Sequence, residues 1–104
     1  MTTERHAITW NGIQIDITHT PDVSPAFRAS YGQPLDHLEV RSLAPAREPL
    51  PITDTGYLSQ FYARNVIEEG GGPAALVLAW LDYFAQSPLW KAKQITRQQL
   101  DLFS

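Results

Sequence analysis

The chain has no cysteine, which excludes disulfide staples and thiolate metal sites and permits a reducing compartment. It is also poor in cations: eight lysines and arginines face eleven aspartates and glutamates, for a formal net charge of −3 at pH 7. No apolar run is long enough to span a membrane, and the longest, within Gly70–Gln86, is broken by Asp82. The first residues, MTTERHAITW, lack the basic-then-apolar order of a secretory signal, so a cytoplasmic placement is the default expectation. Internal repeats and low-complexity segments are missing as well.

What is present is a chain of 104 residues with 43% hydrophobic content, long enough for one core and too short for two ordinary domains. Its charge is unevenly spread. Residues 1–86 hold ten acids against five arginines, a net of −5, whereas residues 87–104 hold Lys91, Lys93 and Arg97 against Asp101, a net of +2. An acidic body repels a phosphate backbone, so no direct nucleic-acid binding by the body is expected. A basic protein surface remains an acceptable partner.

Two alternating runs, Ile8 with Trp10 and Ile13 with Ile15 and Ile17, flank Asn11-Gly12. Asn-Gly tolerates the positive φ of a type I′ turn, which predicts a β-hairpin with Trp10 opposite Ile13 and Ile8 opposite Ile15. Thr20–Pro34 reads as a loop with at most one helical turn after Ser24-Pro25. His37–Leu43 alternates again and predicts a third strand, with Leu38 and Val40 on one face. Tyr57–Tyr62 predicts a fourth, whose phase is ambiguous because Tyr57 and Phe61 share one face and Leu58 and Tyr62 the other. A short helix over Ala63–Glu69 would bury Val66 and Ile67.

Gly72-Pro73 is a helix start signal, since proline suits the first helical position. A main helix over Pro73–Ala85 would carry Val77, Trp80, Leu81 and Phe84 in one stripe, flanked by Leu76, Leu78 and Tyr83. Ser87-Pro88 repeats the signal and predicts a short helix, Leu89–Gln94, anchored by Leu89 and Trp90. The expected fold is α+β: a small antiparallel sheet of three to four strands packed against the main helix, with short helices flanking. Residues 1–94 would form the domain and residues 95–104 a flexible tail.

The candidate chemistry of the body is sparse. His6, His19 and His37 could form a metal cluster or an acid/base with Asp36 or Glu39, but the sequence supplies no ligand-like pair or spacing, so no metal or cofactor is expected. Gly70-Gly71-Gly72 could cradle a phosphate, yet Pro73 removes a donor, Glu68 and Glu69 add like charge, and no P-loop lysine follows. Ser59 has no identifiable base in the sequence, and no carboxylate pair suggests hydrolysis, so no catalytic residues are assigned. Within Leu50–Tyr62, residues Asp54, Tyr57, Gln60 and Tyr62 mix polar and aromatic groups near a turn, the composition of an interaction surface. The competing reading of that segment, and the more ordinary one, is that its aromatics plug the sheet.

The combination of PLPITDTGY with GGPAALVLAWLDYF looks like small uncharacterised proteins carried near plasmid partition and replication genes. The end of the chain, Gln99-Leu100-Asp101-Leu102-Phe103, resembles the peptide with which bacterial polymerases and repair factors bind the replicative sliding clamp. That resemblance implies that Gln99 hydrogen-bonds at the pocket entrance, Leu102 and Phe103 enter a hydrophobic cleft, and Leu100 and Asp101 support them. The opposing reading makes Thr96 and Gln99 a capping box that folds Leu100 and Phe103 onto the main helix. The function expected from the sequence is therefore a non-enzymatic interaction module recruited to the sliding clamp in replication or plasmid maintenance. A small acidic inhibitor or adaptor of a host protein, of counter-defence type, is the alternative, and an enzyme is the third class. No membrane partner is expected, and a homodimer stays open because the main helix is apolar on more than one side.

Overall fold

The computed structural model describes residues 2–102, and side chains through residue 100. The elements run β1 (Glu4–Trp10), β2 (Ile13–Thr20), α1 (Pro25–Tyr31), β3 (Leu35–Ala44), β4 (Tyr57–Ala63), α2 (Arg64–Glu69), α3 (Pro73–Phe84) and α4 (Pro88–Leu102). The strands form one antiparallel sheet in the order β1-β2-β3-β4. This is the expected α+β architecture, with the N-terminal hairpin at one edge, α1 between β2 and β3, and the other three helices C-terminal to the sheet. Among the described residues no helix is long and apolar enough to cross a membrane.

The hairpin forms where the turn chemistry puts it. Asn11 and Gly12 take φ values of 50° and 77°, the pair of left-handed conformations that a two-residue turn needs, and the register sets Trp10 against Ile13 and Ile8 against Ile15. Period-two alternation then points Ile13, Ile15 and Ile17 of β2 and Leu38 and Val40 of β3 into the core. Leu76, Val77 and Leu81 of α3 and Ile67 of α2 close that core from one side. Each such aliphatic side chain contributes about 1.5–3 kcal/mol of burial. Tyr57 and Phe61 of β4 stay exposed, so the aromatic side of that strand looks outward.

Several expectations are revised. Thr20–Pro34 contains a two-turn helix, α1: the Ser24 hydroxyl accepts the Phe27 N–H at 3.1 Å, and Gly32 ends the helix at φ 72°. The phase of β4 resolves with Leu58 and Tyr62 packed on the core. Val66 is not buried; α2 is so short that it presents one core residue, Ile67, and Val66 is 38% exposed. Phe84 and Leu89 are exposed too, and among the described residues of α4 it is Trp90 that is buried.

α4 continues through Leu102, well past the expected end at Gln94. The segment after Pro88 holds Lys, Gln, Arg, Leu and Ala with neither glycine nor proline, and those unbranched side chains lose little rotamer freedom in a helix. The Thr96 hydroxyl donates to the Ala92 carbonyl at 3.0 Å inside that helix. It is not a cap, and the capping-box reading of Thr96 and Gln99 does not hold.

Candidate functional site

The residues read from the sequence as candidates fall in different places. α4 leaves the body through a set of ties: Trp90 is buried with its ring centroid 6.4 Å from that of Trp10, Lys93 Nζ donates to Asp54 Oδ1 at 2.7 Å, and Arg97 pairs with Glu48. Past Arg97, Gln99 is exposed and Leu100 is 64% exposed. Asp101 and Leu102 continue the helical backbone, and Phe103 lies outside the described residues. The opening stretch of the clamp-like motif thus stands in solvent, beyond the ion pairs that hold α4.

Asp54, Tyr57, Gln60 and Tyr62 do not make one patch. Asp54 is an exposed loop residue engaged by Lys93. Alternation sends Tyr57 to the open face of the sheet, where the Arg41 guanidinium lies 5.1 Å from its ring centroid. Gln60 and Tyr62 face the helices, in an edge groove of about 420 Å3 shared with Ile52, Leu58, Trp80 and Phe84. There the Tyr62 and Trp80 ring centroids are 5.0 Å apart, and burial raises the Tyr62 pKa above its ordinary value.

Two polar constellations emerge only in the folded chain, one of them around Asp36. Asp36, 0% exposed, sits on the core face of β3. Arg64 Nε and Nη2 each donate to it at 3.1 Å, His19 Nε2 lies 2.8 Å from Oδ2, and the Asp22 N–H donates to Oδ1 at 2.8 Å. A carboxylate removed from water costs several kcal/mol unless its lone pairs are filled, and here they are filled from β2, from the loop before α1 and from the first residue of α2. The hydrogen bond to Asp36 raises the Arg64 pKa and keeps the guanidinium charged. His19 is therefore part of a buried structural clamp and not a loosely exposed ring at the end of the hairpin.

The second constellation is on the open face. His37 Nε2 lies 2.6 Å from Ser59 Oγ across the β3–β4 pairing, and the imidazole stacks on Phe61 with centroids 4.6 Å apart. Ser59 thus has the basic neighbour that its sequence context did not reveal. The pair meets the first geometric requirement of an activated hydroxyl. Glu39 Oε1 stands 3.6 Å from His37 Nδ1, outside hydrogen-bond reach, and the pair lies on the face of the sheet opposite the core. Stacking and cross-strand pairing account for the arrangement.

The chain matches the family described as the KlcB third domain over residues 3–90, and it belongs to that family. KlcB is plasmid-associated, which makes this a plasmid-related protein. No curated protein and no solved structure matches the chain. The matched stretch takes in the sheet, α1, α2, α3 and the buried Trp90, and stops short of Gln99.

Proposed function

We propose that this member of the KlcB third domain family is a non-enzymatic protein-interaction module of plasmid maintenance, recruited to the bacterial replicative sliding clamp through Gln99–Phe103. The observation that carries the reading is the coincidence of the QLDLF sequence with an exposed site: Gln99 and the 64% exposed Leu100 follow Arg97, whose pairing with Glu48 ties α4 to the body. An exposed Leu100 at the start of an apolar sequence on a short basic stretch has the chemistry of a peptide that docks in a hydrophobic groove. By the resemblance, Gln99 is the hydrogen-bonding residue and Leu102 and Phe103 the apolar anchors.

The helical setting fits such a role. The last turn of a helix has unpaired carbonyls and frays at little cost, so residues 99–102 can leave α4 without disturbing Trp90 or the core. Ordering a segment that had been free to fray offsets part of the gain from burying the anchors, and affinity should be roughly micromolar. A pull-down of the purified sliding clamp by the intact protein tests the proposal. Recovery should be lost when Leu102 and Phe103 are both replaced by alanine; equal recovery by the two proteins would sink it.

A further inference from the structure

We infer that the cleft between the end of β3 and the loop leading to β4 binds a phosphate monoester of mononucleotide size, gripped at its phosphoryl group by Arg41 and Arg47. The cleft is about 620 Å3, a volume suited to a small ligand, and its walls include Arg41, Leu43, Arg47, Thr55, Gly56 and Tyr57 with no acidic residue. This inference is independent of the tail and concerns the folded body alone.

Charge pairing singles the cleft out. Arg5, Arg28, Arg64, Lys93 and Arg97 each pair with a carboxylate. Among the described residues this leaves Arg41, Arg47 and Lys91 without a carboxylate partner, and both arginines line the same cleft. Asp16 stands opposite Arg41 in the strand register, but its Oδ2 is taken by Arg5 at 2.8 Å. Arg41 also borders a neighbouring cleft with Asp16 and Glu39, but neither arginine is in an ion pair among the described residues, and two guanidinium groups lining one cleft with no acidic wall attract an anion.

The loop that carries Arg47 is also held in place. Arg47 takes φ 60°, a left-handed conformation that costs a residue with a side chain of order 1–3 kcal/mol and persists only where the surroundings impose it. Gly56 imposes it here: at φ 74° it packs so closely that a Cβ would lie 2.6 Å from the Arg47 carbonyl carbon. Ser42 pins both sides, donating its N–H to the Gly56 carbonyl at 2.8 Å and its hydroxyl to the Glu48 carbonyl at 2.7 Å. Arg47 is therefore presented from a fixed backbone, which lowers the ordering cost of binding.

The ligand class follows from the donors. A phosphate monoester is a dianion with three free oxygens and can occupy two guanidinium forks, whereas a carboxylate has one charge and saturates one fork. Leu43, 49% exposed, and Ala46 supply an apolar wall for the organic part. The net negative charge of the body disfavours a long polyanion and leaves a small phosphate as the better guest.

Amide NMR spectra of the full chain titrated with adenosine 5′-monophosphate, ribose 5-phosphate and adenosine test this. Saturable shifts at the Thr55, Gly56 and Tyr57 amides are expected with either phosphate and not with adenosine, a larger response to the nucleotide marking use of the apolar wall. Arg41→Gln and Arg47→Gln should each weaken binding about ten- to a hundredfold. Displacement of the nucleotide by inorganic phosphate, read on the unaltered protein, gives the same answer should either variant fold poorly. Equal shifts with adenosine, no saturable shift with either phosphate, or failure of inorganic phosphate to compete would each overturn the inference.

Discussion

The indole N–H of Trp10 donates to Asp82 Oδ1 at 2.9 Å, joining the end of β1 to the one acidic residue of α3. Trp10 also packs on the core and lies 6.4 Å from Trp90, centroid to centroid. A single side chain at the turn end of the hairpin thereby ties the sheet to α3 and the start of α4. Asp82, which interrupts an otherwise apolar helix, is the polar partner that lets a tryptophan pack at this boundary with its N–H satisfied.

Removing either partner of that hydrogen bond should cost about 1 kcal/mol, the usual net value for a bond near the surface. Asp82→Ala and Trp10→Phe are therefore expected to be non-additive in urea melts, the double variant losing less than the sum of the single ones. Strict additivity would show that the contact contributes nothing of its own.

The Asp36 clamp should be far more sensitive. Arg64→Met strands a buried carboxylate and is expected to cost about 3 kcal/mol, the low end for breaking a buried pair because the arginine is partly exposed. Adding Asp36→Asn to Arg64→Met should recover part of the loss, since the stranded charge is then gone. A single variant as stable as the parent would contradict the structural role given to the cluster.

Tyr62 gives the fold an alkaline signature. Burial holds its hydroxyl pKa above the ordinary value of 10.0, so the unfolded chain ionises first as pH rises. The stability linked to Tyr62 is complete below that unfolded value and is lost as pH climbs through the folded one. Denaturant melts between about pH 9 and about pH 11 should show a falling midpoint, and Tyr62→Phe should flatten the fall. An unchanged slope in the variant would assign the alkaline loss to other groups.

The parts of the fold legible in the sequence are those fixed by local chemistry. Asn11-Gly12 set the turn and the register of the hairpin, and Gly72-Pro73 set the start of α3. The phase of β4 was not legible, because Tyr57, Leu58, Phe61 and Tyr62 offer large side chains to both faces and only the position of α3 decides between them. The burial of Asp36 was missed because a carboxylate alternating with Leu38 and Val40 normally marks the end of a buried run. The alternation itself, carried back two residues from Leu38, was the available signal. The pairing of His37 with Ser59, 22 residues apart, and the placing of Arg41 and Arg47 on one cleft depend on strand register and loop closure, which no short window of sequence contains. The far half of α4 is not legible in the sequence because it has helix propensity without an apolar stripe.

Recruitment of the body to the sliding clamp through its last residues is the proposal open to the sharpest test. Calorimetric titration of the purified clamp with the intact protein, and with a chain ended after Thr96, addresses it most directly. The intact protein is expected to bind with roughly micromolar affinity, the shortened chain not to bind, and the two to melt at nearly the same temperature. Equal binding by both chains, or no binding by the intact one, would contradict the account.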